Sequence, residues 1–273
     1  MNGKTGIEYV YDEKLRGLFG KKIYEVDASG RLLQEKQMIP AVAGEDIFTS
    51  LDLPSQKVAY DELNNRRGAV VAVDINDGSI VTYVSSPSFS VNKIANGLTQ
   101  NEFDELINDD DKPFFDRAAQ GRYSPASTIK PAIGLFGIDK DILDWEYTIQ
   151  DPGFFILPED GRIYRGWKKG GHGEINLKDA IIESSNTFFF SLAYQTEIEE
   201  LRAHLSNFGF GKNVCDDCFM PDNGLLPSPR WKMNTHNFGW FKGDTVNVGV
   251  GQGYINATPI QLAYYSAFLA TKG

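Results

Sequence analysis

The sequence is short of positive charge. Its 273 residues hold 27 Lys and Arg against 37 Asp and Glu, for a net charge of −10. That balance provides no basic face for a phosphate backbone or an anionic lipid surface, and it argues against nucleic acid as a partner. A long apolar run is also missing. The longest uncharged span, Thr245–Thr271, could cross a bilayer on length alone. It is broken by Asn247, Gln252, Asn256, Gln261, several Gly and Pro259, which rules out a transmembrane reading. No apolar h-region of a secretory signal follows Met1–Gly6. Cysteine is scarce, with only Cys215 and Cys218. Their C-x-x-C has three readings: a redox pair, half of a zinc site, or a local disulfide. Asn213 before it and Met220-Pro-Asp-Asn-Gly224 after it are loop chemistry, and no second C-x-x-C or His pair stands near. The favoured expectation is a surface loop, with closure by a local disulfide as an option.

What is present suffices for a core. The hydrophobic fraction is 41% and the aromatic fraction 12%, and the length suits one large domain or a domain with an appendage. Asp12–Leu18 reads as a charged helical piece, Lys22–Arg31 as a strand ending in a turn, and Glu35–Gly44 as a linker. Ile47–Leu53 reads as a strand and Pro54–Asn65 as a helix. Gly68–Asp74 and Ser79–Ser85 form a β-hairpin with Asp77-Gly78 at its tip. Asn101–Lys112 reads as an acidic loop. Leu177–Thr196 has apolar positions near 3.6 spacing and reads as one helix, Ile198–Phe208 as a second, and Thr258-Pro259 as the start of a third. Hairpin strands mixed with long helices, without regular βαβ alternation, give an α+β fold.

The chemistry-bearing stretch is Arg122-Tyr-Ser-Pro-Ala-Ser-Thr-Ile-Lys-Pro131. Ser127 and Lys130 are spaced close to one helical turn, so hydroxyl and ammonium share a face. A serine needs a base to take its proton, and a partly desolvated lysine can serve because burial lowers its pKa. Pro131 is tolerated in a first helical turn, which puts Ser127 at the mouth of a helix. Downstream, Ser184-Ser-Asn186 supplies a hydroxyl and a carboxamide able to relay a proton and to hold the lysine and a substrate amide. By itself, each motif is common.

The flanking words resemble the class B penicillin-binding proteins, on the rod-elongation side of that family. The resemblance is carried by Gly6-Ile-Glu-Tyr-Val-Tyr-Asp12, Glu25–Arg31, Gly68–Asp74, Ser85-Ser-Pro-Ser-Phe89, Tyr123–Pro131, Trp167-Lys-Lys-Gly-Gly-His-Gly173, Ser184–Phe189, Gly249-Val-Gly-Gln-Gly-Tyr254 and Ala257-Thr-Pro259. It implies a penicillin-binding transpeptidase fold, with residues 1–44 as the end of a pedestal domain and linker and residues 45–273 as part of the transpeptidase domain. It also implies Ser127 as acylated nucleophile, Lys130 as its base, and Ser184 and Asn186 as the S-x-N motif. The activity implied is cross-linking of peptidoglycan stem peptides through an acyl-enzyme, with β-lactams as covalent inhibitors. Location would be the periplasmic face of the inner membrane, with a membrane glycosyltransferase and other elongation-complex proteins as partners, and no cofactor.

Three departures shape the expectations. The family's third motif, K-[ST]-G on a strand lining the cleft, would lie beyond Gly273; Thr271-Lys-Gly273 has another order and comes too early. The membrane anchor and much of the pedestal are absent as well, so the chain reads as a fragment that is not by itself a competent transpeptidase. Some relatives bind zinc beside the second motif through Asp, Asp, His and Cys. Here Asp151 and His172 match, but Gly166 and Ser185 occupy the other two positions, and no zinc is expected. The rival functions are a β-lactamase or β-lactam sensor and a non-catalytic scaffold of the elongation complex.

Overall fold

The computed structural model describes residues 3–273, and the chain divides into two units. The first runs to Ser50 and includes Cys215–Pro221; the second holds residues 51–214 and 222–273.

The first unit begins with two short helices, α1 (Gly6–Val10) and α2 (Asp12–Arg16), followed by the antiparallel pair β1 (Lys21–Val26) and β2 (Leu32–Ile39). The turn between the strands is an Asp27 loop, whose carboxylate accepts from Ser29 N and Arg31 N at 2.8 and 3.0 Å. β2 corrects the expected linker over Glu35–Gly44. Every residue of both strands is exposed, so no alternation of burial marks them, and pairing comes from the ladder and the Lys36–Glu25 ion pair at 2.7 Å. Cys215 and Cys218 are joined by a disulfide. The loop they close is held within this unit by Phe219 against the Tyr9 ring at 4.9 Å and by a hydrogen bond from the Tyr11 hydroxyl to Asp217.

The second unit opens with α3 (Leu53–Leu63). The strand expected over Ile47–Leu53 is absent: Asp52 caps α3 by accepting from Ser55 N, and Pro54 favours a helical start. The hairpin of β3 (Gly68–Val73) and β4 (Ile80–Ser86) forms as read, in antiparallel register. α4 (Val91–Asn96) and α5 (Gln100–Asn108) follow. α5 corrects the loop expected over Asn101–Lys112. Its start is fixed by a Thr99–Glu102 capping box, each side chain bonding the other's backbone N–H.

The core is built on α6 (Lys130–Asp139), followed by two small sheets that pair β5 (Thr148–Asp151) with β8 (Gly173–Asn176), and β6 (Phe154–Ile156) with β7 (Ile163–Arg165). The single helix expected over Leu177–Thr196 is two helices, α7 (Leu177–Ile182) and α8 (Asn186–Tyr194), separated by a sharp turn. α9 (Ile198–Asn207), α10 (Pro229–His236), α11 (Lys242–Val248) and α12 (Pro259–Thr271) complete the unit. α8 sits at its centre, with Phe188, Phe189 and Leu192 buried among Ile133, Phe136, Leu201, Leu205 and Val246. Thr258 and Gln261 form a capping box at the start of α12, where the Thr-Pro pair predicts one. Mixed helices and antiparallel hairpins make the fold α+β. Among the described residues no helix is long and apolar enough to cross a membrane.

Candidate active site

Ser127 lies in a short 3₁₀ turn, Ala126–Ile129, that runs straight into α6. Its approach is fixed on both sides. Tyr123 exchanges backbone hydrogen bonds with Ala257, and Ala126 N donates to Gly251 O at 2.9 Å. Ala126 has a φ of +49°, a conformation that costs a residue with a Cβ. Gly251 meets it so closely that a Cβ there would fall 2.2 Å from the Ala126 carbonyl oxygen. This is the physical use of the Gly-Val-Gly-Gln-Gly stretch: backbone packs on backbone directly behind the serine.

Lys130 is 1% exposed. Burial lowers its pKa from the ordinary lysine value to about 8. Its ammonium lies 5.4 Å from the centre of the Phe189 ring. All three of its donors are used: on Ser184 O at 2.8 Å, on Ser184 Oγ at 3.1 Å and on Asn186 Oδ1 at 2.8 Å. Ser184 Oγ also lies 2.9 Å from Ser127 Oγ. The structure thus brings together Ser127, Lys130, Ser184 and Asn186 from two places in the chain. Ser184 bridges the other serine and the lysine.

The turn between α7 and α8 makes that bridge possible. Ser184 has a φ of +51°, which lets its carbonyl and its hydroxyl both face Lys130. The buried Ser185 N donates to Ala180 O at 2.9 Å, and Ser185 Oγ accepts from Phe188 N at 3.2 Å as the cap of α8. On the outer side, the Trp167 indole N–H donates to Glu183 O at 3.1 Å, while the Trp167 ring is exposed. Sequence reasoning missed the parts played by Gly251, Phe189 and Trp167. Gly251 and Trp167 stand in Gly-rich words that marked them as unusual, but nothing local says what they touch.

Asp151 and His172 meet as a buried pair, Nδ1 to Oδ2 at 2.7 Å. Ser185 Oγ donates to the same carboxylate oxygen at 2.8 Å, and Gly166 offers no side chain. Burial works to raise the Asp151 pKa, but the bonds from His172, Gly153 and Ser185 outweigh it and hold the carboxyl below its usual range. Among the described residues no three His, Cys, Asp or Glu converge. A four-ligand zinc centre does not fit this donor set, because only Asp151 and His172 of the four positions carry an ordinary zinc ligand, while Gly166 has no side chain and Ser185 a hydroxyl. A Lys-Thr-Gly triplet does stand at Lys4–Gly6. It leads into α1 of the first unit with Thr5 at the helix N-cap, and no strand carries it.

Comparisons with known proteins identify the family. Residues 68–273 match the model of the penicillin binding protein transpeptidase domain, and residues 1–49 that of the penicillin-binding protein dimerisation domain. The peptidoglycan D,D-transpeptidase MrdA of Acinetobacter baumannii is 41% identical over 99% of this chain and 40% of its own length. The chain spans about two fifths of the length of the curated relatives it matches. Pseudomonas aeruginosa PBP2, solved in complex with WCK 5153, is 38% identical with a TM-score of 0.88, over 99% of this chain and 56% of that one. Helicobacter pylori PBP2, solved in complex with MreC, is 32% identical with a TM-score of 0.87, over 99% and 50%. A family match over most of the chain, on a fold and a serine–lysine cluster of this kind, leaves one assignment: the chain belongs to the penicillin-binding protein transpeptidase family.

Proposed function

We propose that the chain carries the acylation machinery of a peptidoglycan D,D-transpeptidase, with residues 1–44 as the end of a pedestal and 45–273 as part of the catalytic domain. One observation carries this reading: a continuous polar path from Ser127 Oγ through Ser184 Oγ to Lys130 Nζ, with steps of 2.9 and 3.1 Å.

The path suits acyl transfer. Neutral Lys130 keeps two N–H donors, enough for Ser184 O and Asn186 Oδ1, and turns its lone pair to Ser184 Oγ. As Ser127 Oγ attacks the carbonyl of a terminal D-Ala-D-Ala, its proton passes to Ser184 while the Ser184 proton passes to Lys130. The C–O bond forms, the C–N bond breaks, and the departing D-Ala amine takes a proton back along the same path. In the whole enzyme the amine of a neighbouring stem peptide would then attack the ester: a C–N bond forms, the C–O bond to Ser127 breaks, and the amine's proton returns along the same path to Ser127 Oγ. Asn186 spends its oxygen on Lys130 and keeps its N–H donors for a substrate amide. A β-lactam presents the same amide in a strained ring and acylates the same oxygen.

The partners are peptidoglycan stem peptides and β-lactams, with a membrane glycosyltransferase and other elongation proteins at the periplasmic face of the inner membrane. The complex of the Helicobacter pylori relative with MreC supports that class of partner. The test is protection. A peptide ending in D-Ala-D-Ala should slow covalent labelling by a fluorescent penicillin, and the L-Ala-L-Ala peptide should not. Equal effects of the two peptides would refute the substrate class. A chain that takes up no label at all would favour a non-catalytic scaffold, and rapid release of bound label would favour a β-lactamase or sensor.

A further inference from the structure

The Asp151 carboxylate takes no part in the reaction path above, yet the residue is 2% exposed and one of its carboxylate oxygens reaches the turn that carries Ser184 and Asn186, through Ser185. It ends β5. Its Oδ1 accepts from Gly153 N at 2.7 Å, and its Oδ2 receives Ser185 Oγ at 2.8 Å beside His172 Nδ1 at 2.7 Å. Its backbone carbonyl accepts from His172 N at 3.1 Å. Ser185 is fully buried and links everything at the turn. Its N–H ends α7, its hydroxyl caps α8, and the residues on either side of it are the two that hold Lys130.

We propose that Asp151 is a positioning residue for acylation, acting through the Ser185 hydroxyl to hold Ser184 and Asn186 against Lys130. The conformation of Ser184 demands such a hold. A non-glycine residue at a φ of +51° persists only where its surroundings over-determine it. One hydroxyl cannot do that alone, because a free Ser185 rotor could cap α8 from more than one orientation. The buried carboxylate removes that freedom: Ser185 Oγ donates to Asp151 while it accepts from Phe188 N, so both ends of the hydroxyl are fixed. His172 in turn locks the carboxylate, and the edge of its ring packs on Trp167 at 5.7 Å, whose indole N–H holds Glu183 O. The segment from β5 to Trp167 thus grips the turn on both sides of Ser184. Hydrogen bonds make this anchor.

The acylation part of this inference rests on the proposed function; the anchoring part does not. Two readouts separate them in the full chain: the rate of Ser127 labelling by a fluorescent penicillin, and amide hydrogen exchange over residues 177–194. Ser185→Ala is expected to slow labelling by about 10- to 100-fold, the range seen when a hydrogen-bond partner that orients a metal ligand is lost. It should speed exchange at residues 184–188 by about tenfold, with the rest of α8 unchanged. Ser185→Thr, which keeps the hydroxyl, should restore both to within about threefold. Asp151→Asn keeps an acceptor without the charge, and should loosen the same amides even if Ser185→Ala does not fold. Unchanged exchange in both variants overturns the proposal, whatever happens to labelling. Looser exchange with labelling intact overturns the positioning role. If the parent chain takes no label, the proposed function fails, and exchange at residues 184–188 alone decides whether Asp151 anchors the turn.

Discussion

Ser184 Oγ stands 2.9 Å from Ser127 Oγ and 3.1 Å from Lys130 Nζ, so one hydroxyl links the two side chains proposed as nucleophile and base. Ser184→Ala deletes the middle of the path and leaves Ser127 and Lys130 in place. Acylation by a fluorescent penicillin should fall by about 10²- to 10⁴-fold, the usual worth of a positioned proton relay. Melting temperature should stay within a few degrees of the parent. A loss of less than about threefold would mean that the Ser127 proton takes another route.

The pH dependence follows from the burial of Lys130. Its folded pKa is near 8 and lies below the ordinary lysine value, so the neutral amine needed as base accumulates as pH rises through 8. Acylation should therefore rise with pH, level off above about 8, and fall about tenfold per unit below it. Stability moves in the same direction. From about pH 8 up to the unfolded lysine pKa the native state binds fewer protons than the unfolded chain, so stability increases with pH across that window. Below it, the cost of burying the charge is felt in full. Lys130→Arg keeps the charge but cannot supply the neutral form, and should abolish the pH-dependent rise. A profile for the parent that is flat from pH 6 to 10 contradicts this account of the base.

Gly251 presses on Ala126, the residue before Ser127. Gly251→Ala would put its Cβ 2.2 Å from Ala126 O at a φ of +69°. The strained conformation alone costs about 1–3 kcal/mol, and the clash adds to it. The expected result is a lower melting temperature together with slower acylation, since the displaced carbonyl shares its residue with the turn holding Ser127. Gly78→Ala is the control. It has a comparable φ of +79° and nothing within 4 Å of the added Cβ, at the tip of the β3–β4 hairpin. It should lower the melting temperature without slowing acylation.

How much of this was legible in the sequence depended on how local each cause was. The β3–β4 hairpin could be read because Asp77-Gly78 makes the turn and both strands are β-branched on either side of it. Ser127, Lys130, Ser184 and Asn186 could be read as candidates because their motifs are short, although only the fold shows them within hydrogen-bonding distance. The break between α7 and α8 could not be read, since apolar positions from Ala180 to Ala193 keep helical spacing across it. At the break Ser185 donates to Asp151, 34 residues earlier in the chain, a contact that no local spacing reveals. β2 was equally hidden: with both faces exposed, its residues carry no period that a reader could detect.

The Asp151–His172–Ser185 cluster is held by hydrogen bonds, so chelation should not disturb it. A saturating chelator is expected to leave the melting temperature unchanged, and metal analysis of the purified chain should return no stoichiometric zinc. One zinc per chain, or a chelator-induced fall in melting temperature, would contradict this reading of Ser185 and Gly166.

The central claim is that Ser127 is the acylated group. Intact mass measurement after exposure to benzylpenicillin, followed by peptide mapping, tests it most directly. The account predicts a single covalent adduct on the peptide containing Ser127, absent from Ser127→Ala. An adduct on any other residue, or one that survives in Ser127→Ala, would contradict it.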